Sequence, residues 1–126
     1  MTKWGGGRHA SKYYMHALKL KPDSISAISG LVLTLVLYAD DVDSCIQNLK
    51  HALTNRPDDI VLLTQLAIIR FFLYQDMKAA RLLRRVLSIN KYYAPALHIV
   101  GELLRFTGRS VKAIEFYERA LQQDRY

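Results

Sequence analysis

The sequence predicts an all-α protein, a solenoid of about seven helices stacked as antiparallel pairs, and three observations carry that expectation. The first is a ladder of small and bulky residues that returns every 34 or 35 positions: Ala10, Tyr14, Ala17; Cys45, Leu49, Ala52; Ala79, Leu83, Val86; Ala113, Tyr117, Ala120. Spacings of four and then three place each set on one face of a helix. The second is an intervening set in the same register: Ile28, Leu31, Val32, Leu35; Leu63, Leu66, Ala67, Arg70; Leu97, Val100, Gly101, Leu104. The third is punctuation. Pro22 and Pro57 stand just beyond two of the ladders, and Thr107, Gly108 and Arg109 mark a turn before the last.

In chain order, residues 1–9 are expected to form an arm interrupted by Gly5, Gly6 and Gly7, and 10–126 the solenoid. A lone helix over 10–20 precedes helix pairs over 24–55, 59–89 and 93–123. The extra residue of the first interval is expected in the turn from Ala39 to Asp43, where aspartates can cap the next helix. Small residues at the ladder ends let paired helices approach closely, while Tyr14, Leu49, Leu83 and Tyr117 fill the space between. One pair cannot bury its apolar face alone, so the pairs must stack, and about three are the usual minimum.

The clearest unit runs from Ala94 to Asp124, with Leu97, Val100, Gly101 and Leu104 before the turn and Ala113, Tyr117 and Ala120 after it. It resembles a tetratricopeptide repeat, and the four matching second helices extend the resemblance from about Ala10 to Arg125. The departures are an absent aromatic early in each first helix, Val32 at the place of a small residue, and Arg70 at the place of a bulky one. The resemblance implies a right-handed superhelix whose first helices line a concave groove. It also implies a non-catalytic scaffold or adaptor, expected here as a small subunit of a larger assembly.

Composition narrows the remaining classes. Apolar residues make up 51% of the chain, too many for wholesale disorder, and 18 Lys and Arg against 11 Asp and Glu give a net charge of +7. That balance favours acidic neighbours. The single cysteine, Cys45, excludes an internal disulfide framework and fits an intracellular setting, be it cytoplasm, nucleus or organelle interior. The longest apolar run, Leu31 to Ala39, is too short to span a bilayer, which takes roughly 20 residues. Residues 1–22 carry basic side chains and no acid before Pro22, as targeting segments do, although Trp4 to Gly7 interrupts any helix and Lys12 to Lys21 already fits the repeat.

No catalytic, cofactor or metal site is expected. Cys45 stands where its repeat-mates are alanines and reads as a packing residue. His9, His16, His51 and His98 make no metal set in this reading, and Asp40, Asp41, Asp43, Asp58 and Asp59 sit where helices begin, as caps do. The triple glycine lacks the strand and the Lys-Ser or Lys-Thr of a phosphate loop.

Carried over from the resemblance, the groove is expected to hold Leu33, Val36, Val61, Thr64, Ile68, Phe71, His98, Glu102 and Arg105, with Ser26, Ser29 and Pro95 beside them. An apolar helix or extended segment of a partner would anchor on Leu33, Ile68 and Phe71. The Lys, Asn and Arg clamp that grips chaperone tails is replaced by Ser29, Leu33, Gln65, Pro95 and Ile99, so that ligand is not expected. On the second helices a basic ridge is expected from Lys12, Lys50, Lys78, Arg81, Arg84, Arg85, Lys112 and Arg119, facing an acidic protein, a phosphate backbone or an anionic membrane. Ile114, Tyr117 and Leu121 are expected to form a docking end for a neighbouring subunit or a second copy. Two rival readings remain open: RNA binding through the ridge, and an excerpt of a longer repeat protein.

Overall fold

The computed structural model describes residues 6–38 and 42–123, with side chains over 12–37 and 42–123. Ala39, Asp40 and Asp41 of the expected turn, and Trp4 and Gly5 of the expected arm, lie outside the described residues. Seven helices follow one another among the described residues: α1 Gly6–Leu20, α2 Ile25–Tyr38, α3 Val42–Asn55, α4 Ile60–Phe72, α5 Asp76–Ile89, α6 Ala94–Phe106 and α7 Ser110–Gln123. The arrangement is all-α, and no described helix is long and apolar enough to cross a membrane. α1 opens at Gly6, inside the stretch expected as an arm.

The helix starts follow from capping chemistry. Ser24 Oγ accepts from the Ala27 N–H at 3.1 Å, and Asp59 Oδ1 accepts from Val61 and Leu62 at 3.0 and 3.1 Å. These bonds satisfy amides that have no partner inside the helix. Tyr93 takes the same place before α6 without a side-chain bond, where Pro95 removes one donor from the first turn. Two helix ends are built alike. The Gln75 N–H reaches back to the Arg70 carbonyl at 2.9 Å and the Arg109 N–H to Leu104 at 2.8 Å, each closing a Schellman turn over a left-handed residue. That residue is Gly108 at φ 83° after α6 but Tyr74 at φ 60° after α4.

Packing follows the repeat in the C-terminal part. α4 and α5 form one tight hairpin and α6 and α7 the next, with α6 laid on α5 and α4 laid on α3. The core of the molecule runs through Ile28, Val32, Ala67, Ile69, Leu83, Val86, Tyr93 and Leu97, all essentially sealed from solvent. Within α6 and α7, Tyr117 lies on Gly101, where an added Cβ would come within 2.9 Å of the ring. The hole is made by the missing side chain.

The N-terminal part is assembled differently. α1, expected as a lone helix, is the main neighbour of α2, because Tyr14 lies on Gly30 and a Cβ there would overlap the ring. The small residue that serves the first helix is therefore Gly30, two positions before Val32, which is itself buried. α2 meets α3 over a short stretch only, where Cys45 Sγ donates to the Leu35 carbonyl at 3.3 Å. Instead α2 touches both α4 and α6, so the three first helices enclose a common space.

Candidate partner-binding groove

That space is a cavity of about 650 Å³. α2 contributes Ser29 and Leu33, α4 contributes Ile68, Phe71 and Phe72, and α6 contributes His98, Ile99, Glu102, Arg105 and Phe106. Tyr74 and Asp76, from the turn between α4 and α5 and the start of α5, complete the lining. The wall is graded. Leu33, Ile68 and Glu102 are repeat-mates, so the same register position passes from apolar on α2 and α4 to charged on α6.

Six of the nine expected groove residues, Leu33, Ile68, Phe71, His98, Glu102 and Arg105, line this cavity together. Three do not. Thr64 is completely buried with its hydroxyl unpaired, and Val36 and Val61 are half-buried outside the lining. Pro95 is likewise buried. The reason is that α4 is packed by α2, α3, α5 and α6, which closes every face between Leu63 and Ile69. Ile68, at 2% exposure, forms floor rather than rim.

The rim is aromatic, and most of it escaped the sequence reading. Phe72 (65% exposed), Tyr74 (91%) and Phe106 stand at the cavity, with Phe71 centred 5.5 Å from Phe72 and 5.8 Å from Phe106. A signal was available, since Phe72 and Phe106 are the last residues of α4 and α6 and lie one repeat apart. It belongs to the ends of the first helices, outside the ladder positions.

Charge gathers at the α6 end. Arg105 donates to Glu102 Oε2 at 2.8 Å, and His98 Nε2 stands 3.8 Å from Glu102 Oε1. His98 and Glu102 are one turn apart on α6, a pairing that the sequence reading of the histidines overlooked. Burial by itself would raise the Glu102 carboxyl, but the Arg105 guanidinium, the Tyr117 hydroxyl and the His98 imidazole together outweigh it and hold the group below its ordinary value. Tyr117 lies against this pair with its hydroxyl buried, close enough to feel both charges but without a hydrogen bond of normal geometry. Burial first and the Glu102 carboxylate second push its phenol upward. The Arg105 guanidinium also sits 4.7 Å over the Phe106 ring. Among the described residues no group of three or more His, Cys, Asp or Glu is placed to hold a metal ion.

Elsewhere, Lys12, Lys50, Lys78, Arg81, Arg84, Arg85, Lys112 and Arg119 are all exposed. Arg85 bonds Asp58, and Arg119 stacks 4.9 Å over Phe116. On α7, Ile114 is 55% exposed and Leu121 is exposed beside it, whereas the repeat-mate Ile46 on α3 is buried to 5%. Tyr117 departs from this expected docking end, because it faces Gly101 and Glu102 on α6.

Residues 94–126, spanning α6 and α7, match the family model described as tetratricopeptide repeat. The α6–α7 pair is thus similar to a single tetratricopeptide repeat. Its fold is similar to that of the tetratricopeptide protein MamA, with a TM-score of 0.61 at 24% identity, covering 94% of this chain and 69% of that one. The likeness establishes a helical-repeat solenoid. No curated protein matches the sequence. Tetratricopeptide units are protein-interaction modules, so the family and the cavity between the first helices bear on the same question.

Proposed function

We propose that this chain is a non-catalytic protein-interaction scaffold whose cavity between α2, α4 and α6 receives an apolar helix or extended segment of a partner protein. The observation that carries the reading is the cavity itself, with Leu33 and Phe72 exposed on its walls over the Ile68 and Phe71 floor. Large apolar side chains held open to water around a concave space are the ordinary signature of a binding surface. The segment docks by apolar burial along α2 and α4 and is oriented by the polar α6 end.

The exposed cations Lys78, Arg81, Arg84 and Arg85 of α5 lie on the second-helix side and meet an acidic surface of the same assembly. Ile114 and Leu121 on α7 take a neighbouring subunit.

The test is affinity purification of the full chain at moderate salt, followed by mass spectrometry, run beside Leu33→Asp. Leu33 is 57% exposed, so the substitution alters the groove with little effect on the fold, which circular dichroism checks. The reading expects a defined set of partners that Leu33→Asp loses. Partners retained in full by a folded Leu33→Asp protein would overturn it.

A further inference from the structure

The α4–α5 turn holds an anomaly that packing does not explain. α4 and α6 close with the same Schellman turn, yet the left-handed position that Gly108 fills after α6 is filled after α4 by Tyr74. A bulky residue at positive φ is strained. The side chain recovers nothing inside the molecule, because it is 91% exposed and lines the cavity mouth. Two residues on, Asp76 lines the same cavity, exposed at the start of α5 and in no ion pair among the described residues.

The remaining charges of the lining are matched. Arg105 is paired with the Glu102 carboxylate, while just outside the lining Arg70 donates to the neutral amide oxygen of Gln75 at 2.7 Å, a hydrogen bond and not an ion pair. Among the described residues of the lining, the charged group in no ion pair is the Asp76 carboxylate, with an exposed aromatic ring two residues away. The molecule displays the complementary arrangement at the far wall, where a guanidinium lies over the Phe106 ring and bonds the Glu102 carboxylate. An aromatic face beside a carboxylate attracts a cation by the ring quadrupole and by charge together.

We infer that the groove selects a partner segment carrying a lysine or arginine among its apolar residues, and that Tyr74 and Asp76 form the lip that holds this cation. The assignment rests on the groove reading given above and adds the partner's chemistry to it. The strain at Tyr74 then persists because the ring works in the complex. In the free protein a glycine at this position would be better. Repulsion from the basic second helices acts from the other side of the solenoid and is screened within about 8 Å at physiological salt.

The test selects phage-displayed random 12-residue peptides on the full-length chain and on three variants. The wild type is expected to enrich apolar peptides with Lys or Arg at a fixed offset from the apolar anchor. Asp76→Lys is expected to abolish that preference or turn it to Asp or Glu. Tyr74→Gly is expected to weaken the wild-type peptides about two- to thirtyfold, the span of a cation–π contact, while raising Tm. Enriched apolar peptides that need Leu33 but show no basic preference, or that bind Asp76→Lys equally well, overturn the cation lip and leave the groove standing. No enrichment, or peptides indifferent to Leu33→Asp, overturns the groove and the lip together.

Discussion

The same contact, a tyrosine ring laid on a glycine, is made twice in this molecule and in opposite chain order. Tyr117 of α7 lies on Gly101 of the preceding helix, whereas Tyr14 of α1 lies on Gly30 of the following one. In the C-terminal part the contact closes a hairpin inside one repeat. In the N-terminal part it joins α1 to α2 and leaves α2 only lightly attached to α3. A helix pair is thus defined by which side chain fits which hole, and sequence adjacency alone does not decide it. The consequence for function is that α2 swings over α4 and α6 and becomes a wall of the cavity.

Substitutions in matched pairs test this difference. The largest effect is expected from Leu83→Ala, which empties a site 1% exposed in the tight α4–α5 hairpin, at the upper end of the ~2–5 kcal/mol range for such truncations. Its repeat-mate Leu49→Ala, on the loosely attached α3, is expected at the lower end. Urea denaturation measures both, and equal losses would mean that α3 is packed as firmly as α5.

The glycine pair comes next and its sign is informative. Glycine to alanine inside a helix gains ~1 kcal/mol from propensity alone. At Gly30 the Tyr14 ring leaves no room for the methyl group, so Gly30→Ala is expected to lose a net ~1–3 kcal/mol, and Gly101→Ala less. Adding Tyr14→Ala should remove most of the Gly30→Ala penalty in a double-mutant cycle. A stabilised Gly30→Ala protein would show that α1 does not rest on α2.

The smallest effect separates the polar end of the cavity from its apolar end. Glu102 has a depressed pKa in the folded state, so its contribution is complete above the ordinary carboxyl value of 4.5 and is lost as pH falls through the folded value. Glu102→Gln is expected to flatten the acid limb of stability below about pH 4.5. Ile68, its repeat-mate on α4, has no charge to titrate, so Ile68→Val should shift the whole profile without changing its slope.

The register of the seven helices was legible in the sequence because ladder residues such as Ala79, Leu83 and Val86 are buried for the same reason in each copy. What one helix does when four others surround it was not. Thr64 falls on the groove face of an average repeat, yet here it is sealed, because α2 has moved across α4. The clue to that movement was Gly30, two residues out of register and visible only once Tyr14 was given a place to lie. The rim aromatics Phe72 and Phe106 were periodic, but they stand at the helix ends, where the ladder does not reach.

The central claim is that a partner segment lies in the cavity between α2, α4 and α6. Its most direct test is photo-crosslinking from a benzophenone side chain placed at Phe72 on the cavity rim, compared with the same group at Val111 on α7 and at Arg81 on the outer face of α5. The account predicts that position 72 joins a partner segment of apolar residues with a lysine or arginine among them, and that Leu33→Asp abolishes the adduct. A partner joined at Arg81 or Val111 but never at position 72 would contradict it.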